Sequence, residues 1–137
     1  MVKIEGVYEG ELRCRMKHGP SGSELLTDAP VDNHGQGAAF SPTDLAATAL
    51  GSCMMTIMGI VARKHGIDMG GTRVEITKEM AVAPNRRIGR IGVAFQFPRS
   101  LGAKEQEMLK RAAAGCPVHH SLHPDVQVSV EFVFPTE

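Results

Sequence analysis

The three cysteines, Cys14, Cys53 and Cys116, carry the readiest covalent chemistry in this sequence. Cys116 directly precedes Pro117, which puts it at the expected N-cap of a short helix. Unpaired N–H groups and the helix dipole at such a position favour a thiolate. By position alone it reads equally as a reactive thiol and as a small residue filling a turn. Cys53 falls in the middle of an uncharged helical stretch, where buried cysteine is commonly inert packing because desolvation raises the thiol pKa. Cys14, in a strand between Arg13 and Arg15, reads as packing. No two cysteines form Cys-x-x-Cys, which excludes a thioredoxin-type motif. Six histidines raise the question of a metal. Cys116-Pro-Val-His119-His120 provides one local Cys-x-x-His pair, with His34, His65 and His123 elsewhere. A zinc site needs three or four converging ligands, and neighbouring histidines on a helical turn point about 100 degrees apart. No metal and no cofactor are therefore expected; a metal-binding module on Cys116 and His119 is the lesser alternative.

These side chains must be held by the elements around them. Residues 2–18 alternate loosely and run into the turn cluster His18-Gly19-Pro20-Ser21-Gly22, after which Ser23 to Val31 resumes an extended pattern. The opening therefore reads as a hairpin. Asp32 to Gly37 is a glycine-rich loop without the spacing of a phosphate cradle. Ser41-Pro42-Thr43-Asp44 is a helix start: Ser41 as N-cap, Pro42 in the first position, and Asp44 where its carboxylate can reach back to the cap. The helix is expected to reach His65, with Gly66 past its end. Ala46, Leu50, Cys53, Ile57 and Ile60 share one face by the 3.6-residue period. The opposite face, with Thr48, Met55, Gly59 and Ala62, is equally free of charge. A helix apolar all round needs burial on every side, more than 137 residues readily supply. A homodimer with this helix in its interface is expected. Two alternating runs follow, Thr72 to Val82 and Ile88 to Phe97, as a second hairpin. Then come an amphipathic helix from Ala103 to Ala114 with Met108, Leu109 and Ala112 as its apolar stripe, a helical turn from Pro117 to Leu122, and a strand from Val126 to Phe134. Strands grouped in runs around isolated helices point to an α+β fold with an antiparallel sheet and a long central helix, one domain over 1–137.

Composition narrows the function. Fifteen basic and fifteen acidic residues leave no net charge, and aromatic residues make up 4% with no tryptophan. Neither an electrostatic footprint for nucleic acid nor a base-stacking platform is present. Leu45 to Ala62 holds 18 residues without a charge, the minimum for a membrane span. Its threonines, glycines and alanines make it only moderately apolar, and no membrane partner is expected. The start, MVKIEGVYEGELR, lacks a basic region followed by an apolar one, and three cysteines do not make a secreted disulfide framework. A cytoplasmic protein is expected.

Phe40-Ser-Pro-Thr-Asp-Leu-Ala-Ala-Thr-Ala-Leu-Gly-Ser-Cys53-Met-Met, followed by Cys116-Pro-Val-His-His-Ser-Leu122, resembles the OsmC/Ohr family of osmotically inducible and organic hydroperoxide resistance proteins. The resemblance runs from the first strand to the last. It implies an intertwined α+β homodimer and a thiol-dependent peroxidase reducing organic hydroperoxides. Cys53 would attack the peroxide and become a sulfenic acid, Cys116 would condense with it, and an external dithiol would reduce the disulfide. Family peroxidases pair an arginine with a glutamate that directly follows the helix-start proline. Here Thr43 holds that position and the carboxylate comes one later as Asp44, while residues 31–41 contain no arginine. Arg13, Arg15, Lys17 or His18 on the first strands, or His119 or His120 beside Cys116, are the substitutes within this sequence. An apolar pocket around Leu50, Met54, Ile57 and Met58 would suit organic peroxides, although methionines equally suit plain core filling. The alternative of another class is a non-catalytic dimer of the same fold that binds a small ligand or senses thiol redox state.

Overall fold

The computed structural model describes residues 1–136. The chain divides into two compact units, the first ending at Ala46 and the second starting at Ala47.

The first unit is a three-stranded antiparallel sheet in the order β1 (Ile4–Gly10), β2 (Arg13–His18), β3 (Glu24–Asp28). The expected single hairpin is instead a meander, because the chain reverses once more at Gly10-Glu11-Leu12. All three residues have positive φ, +87°, +56° and +62°. The turn lacks the Asn-Gly or Asp-Gly pair that usually advertises this geometry, so the pattern ran on through it. The loop after β3 opens with a single turn of 3-10 helix, Val31–Asn33, and is pinned by Asp28. Asp28 N–H donates to the Phe40 carbonyl at 3.1 Å, and its Oδ2 accepts from Ala38 N–H at 2.9 Å. Thr27, Asp28 and Ser41 are buried, yet no apolar side chain of this unit is. Ile4, Val7 and Tyr8 on β1 are all more than 60% exposed. This sheet has no hydrophobic core of its own.

Helix α1 (Pro42–Lys64) begins in the first unit with the reciprocal cap read from the sequence. Ser41 N–H donates to Asp44 Oδ2 at 2.9 Å, and Asp44 N–H donates to Ser41 Oγ at 3.1 Å. Gly66, at φ +66°, ends it, and Ile67 N–H closes back on the Ala62 carbonyl at 2.9 Å. Arg63 and Lys64 sit at its negative end.

The second unit packs the body of α1 on a three-stranded sheet of β4 (Arg73–Ala81), β5 (Arg87–Gln96) and β6 (Gln127–Val133), with α2 (Ala103–Ala114) and α3 (Pro117–Ser121) between the last two strands. β5 alternates strictly, with Ile91, Val93 and Phe95 buried and Arg90 and Gln96 exposed. β4 and β5 pair antiparallel, but β6 runs parallel to β5, Phe95 facing Phe132. The sheet is mixed where antiparallel pairing was expected. The connection explains it: a strand that leaves through two helices returns in the same direction. Phe95 stacks on Phe132 at 5.5 Å and Phe97 on Phe134 at 4.3 Å.

The face that α1 buries also differs from expectation. Ala47, Leu50, Gly51, Met54, Met58 and Ala62 point inward, whereas Ile60 is 49% exposed and Cys53 and Ile57 lie on the flank. With no charge on either side, periodicity could not fix the rotation of this helix. Contact with the sheet does: Gly51 brings the helix so near Ile76 that a Cβ there would collide with the isoleucine side chain. Leu50, Met54 and Met58 are therefore core, each stabilising by about 1.5–3 kcal/mol relative to exposure. Among the described residues α1 is the one helix long and apolar enough to cross a membrane by length and composition, and it is partly buried in this core.

Candidate functional site

The site is built in the second unit where α1, the end of α2 and the start of α3 converge. Gly115 stops α2, its N–H donating to the Ala112 carbonyl at 3.0 Å. Cys116 then adopts an extended conformation (φ −66°, ψ 121°), and Pro117 opens α3. The thiol is the N-cap: Cys116 Sγ accepts from His119 N–H at 3.5 Å. Its own S–H faces the Leu50 carbonyl of α1 at 4.0 Å. Cys53, three residues after Leu50 and half-buried, interacts with Cys116 side chain to side chain. Both thiols are free. The fold thus brings together two sulfurs that lie far apart in the chain.

The electrostatics of Cys116 reverse the reading made from its position. Burial pushes the thiol pKa up, and the neighbouring Cys53 adds to this. The N–H groups of His119 and Val118 pull the other way and are outweighed. At 0% exposure, loss of water around a thiolate exceeds what the first turn of a five-residue helix returns. Cys116 therefore holds its proton more tightly than an ordinary thiol. Cys53 is the more accessible sulfur.

The remaining candidates fall in different places. Thr43 Oγ1 lies 3.2 Å from Ser41 Oγ, and Asp44 is the capping carboxylate already described. Arg15 donates from Nε to Glu9 Oε2 at 2.8 Å, a solvent-exposed pair within the first sheet that raises the arginine pKa. Arg13 is more deeply committed: Nε sits 3.7 Å from the buried Asp28 carboxylate and Nη2 donates to Gln36 Oε1 at 2.9 Å. The buried Asp28 escaped the sequence reading, since an aspartate at the end of a strand looks like a turn residue. His119 meets Cys116 through its backbone, while its ring lies 6.4 Å from that of His120. Among the described residues no three His, Cys, Asp or Glu side chains could hold a metal ion together. Cys14 pairs across the first sheet with Tyr8 and Thr27.

Two facing thiols on an α+β frame, one half-buried in a long helix and one capping a short helix, define a small dithiol protein of a recognisable kind. Residues 35–131 match the model of the OsmC-like proteins. A protein from Psychrobacter arcticus 273-4, named for osmotic stress induction and a detoxification response, is 47% identical over 96% of both chains with a TM-score of 0.91. Organic hydroperoxide resistance proteins from Legionella pneumophila and Elizabethkingia anophelis share the fold at 14% identity. Their TM-scores are 0.77 and 0.78, over 97% and 98% of this chain and 96% of each of theirs. No curated protein matches the sequence. The chain belongs to the OsmC-like family.

Proposed function

We propose that this protein is a thiol peroxidase that reduces organic hydroperoxides through Cys53 and Cys116. The observation that carries the proposal is the side-chain contact of these two cysteines inside one unit. The Cys53 thiolate attacks the terminal peroxide oxygen. A sulfur–oxygen bond forms as the O–O bond breaks, and the alkoxide leaves and takes a proton to become an alcohol. The Cys116 thiol then attacks the sulfenic sulfur; the S–S bond forms and water departs with the two hydrogens. An external dithiol restores both thiols. A raised pKa suits Cys116 to this second role: it stays protonated, and does not compete for peroxide, until Cys53 has been oxidised. The working unit is a homodimer in the cytoplasm. The uncovered β1 and the exposed Ile60 support the dimer, since a second copy supplies the apolar contacts that the first sheet lacks.

Stopped-flow oxidation with tert-butyl hydroperoxide tests the reading. Wild type should consume peroxide and form an intramolecular disulfide. Cys116→Ser should be oxidised once and stop at the sulfenic acid, and Cys53→Ser should react no faster than a free thiol in solution. An unreactive Cys53 at neutral pH would leave the redox-sensing or ligand-binding dimer as the better description.

A further inference from the structure

Cys116 has a structural task besides its chemistry. Its Sγ stands between two helices. Toward α1 it faces the Leu50 carbonyl at 4.0 Å and the Cys53 side chain. Toward α3 it meets the N–H groups of Val118 and His119, accepting from His119 at 3.5 Å. The thiol is thus the side-chain cap of α3.

Little else holds that helix. It has five residues, none of them fully buried, and a helix so short persists only through its cap and its packing. Val118 and Leu122 rest on the hydrophobic core with part of their surface. Its other bonds are few: His120 N–H donates to the Cys116 carbonyl at 3.2 Å, Leu122 N–H to the His119 carbonyl at 3.3 Å, and Ser121 Oγ to the Pro117 carbonyl at 2.9 Å. Closing a bond between Cys53 and Cys116 acts on the cap directly. The Cys116 S–H is removed, so the Leu50 carbonyl loses that donor. The sulfur is drawn from non-bonded contact to covalent distance, toward α1 and away from α3. The amides that open α3 are left without their acceptor.

We propose that α3 is a redox-released cover over Cys116, capped and seated while both cysteines are thiols and frayed once they are joined. Its release exposes a sulfur that is wholly buried in the dithiol state, so the disulfide is offered to its reductant only after it has formed. A thiolate of the external dithiol then bonds to Cys116 Sγ. The S–S bond breaks and its electron pair leaves on Cys53 Sγ, which takes up the proton the reductant gave up. The second thiol of the reductant displaces Cys116, which is protonated in turn, and the reductant departs as a disulfide. The inference rests on the disulfide of the peroxidase reading, but the loss of the cap is measurable without peroxide.

Hydrogen exchange followed by NMR tests it. The protein is oxidised with diamide, which takes up the two thiol hydrogens, and the intramolecular disulfide is verified by thiol count and mass. Exchange at the His119 N–H should quicken about tenfold on oxidation, as loss of an N-cap requires, while Leu109 in α2 keeps its rate. Reduced Cys116→Ala, which has no acceptor for the cap, should show the same fast exchange without oxidant. Cys116→Ser, whose hydroxyl is a good cap, should exchange slowly before and after diamide. Unchanged His119 exchange in the disulfide-bonded protein overturns the proposal, as does a Cys116→Ala rate equal to that of reduced wild type or a failure of diamide to join the two cysteines. A protein that consumes tert-butyl hydroperoxide while His119 stays slow in the disulfide form keeps the peroxidase reading and loses the cover. One that ignores the peroxide but frays on diamide oxidation loses the peroxidase reading and keeps the cover.

Discussion

Arg13 and Asp28 form the buried charge pair of the first sheet, and its asymmetry gives a quantitative prediction. The Asp28 side chain is wholly buried while that of Arg13 is 32% exposed, and Nε to Oδ2 is 3.7 Å. At an effective dielectric constant near 20, charges at that separation attract by roughly 4 kcal/mol. Solvent around the partly exposed guanidinium reduces this to about 2–3 kcal/mol. Among the described residues, Asp28 Oδ1 and Arg13 Nε make no hydrogen bond, so the ion pair is the main compensation for burying the carboxylate. Arg13→Met strands that carboxylate with the Ala38 N–H for company, and should cost about 3–5 kcal/mol. Asp28→Ala leaves an arginine that can swing into water, and should cost less, about 2–3 kcal/mol. The double variant should fall short of the summed losses by about 2 kcal/mol. Urea unfolding of the four proteins at one fixed protein concentration gives all three quantities. Losses below about 1 kcal/mol, or Asp28→Ala proving the costlier change, would refute the electrostatic account.

Three further outcomes are expected. Leu12→Gly relieves a left-handed leucine at the β1–β2 turn, worth about 1–2 kcal/mol, and after the entropic cost of glycine should raise the urea midpoint slightly; a lower midpoint would show that the Leu12 side chain matters more than its backbone. A Cβ at Gly35 would overlap the Ala29 carbonyl, so Gly35→Ala should lower the melting temperature by several degrees, consistent with a loss of about 2 kcal/mol or more. The raised pKa of Cys116 means that the folded state holds this proton more tightly than the unfolded chain. Its stabilising contribution is complete below the ordinary thiol value of about 8.5 and is lost as pH climbs through the folded value. Between pH 8 and 10 the urea midpoint of Cys116→Ser should therefore fall less than that of wild type.

Much of the frame was legible in the chain. Ser41, Pro42 and Asp44 announced the start of α1 because capping is local chemistry, and Ala103 to Ala114 was read to the residue because Gly102 and Gly115 bracket a clean amphipathic stripe. The failures came where the deciding interaction is remote. Residues 10–12 turn without a turn signature. The rotation of α1 is set by Gly51 against Ile76, twenty-five positions away. The direction of β6 depends on a crossover. At the site, position alone read Cys53 as packing and Cys116 as reactive or structural alike; only the family resemblance paired them, and position suggested a thiolate at Cys116 where burial raises the thiol pKa. Local dipoles are visible in sequence; the loss of water around a group is not.

The parallel pairing of β6 has a consequence for synthesis. The middle strand β5 keeps one open edge until β6 has been made, because the strand that completes it follows both helices in the chain. Cys116 rides on the crossover between them, so the segment bearing the second thiol is anchored at both ends only when the sheet closes. A chain halted before β6 would carry Cys116 on a segment tethered at one end only, and Cys53 would lack its docked neighbour. Completion of the sheet and anchoring of the second thiol are one event.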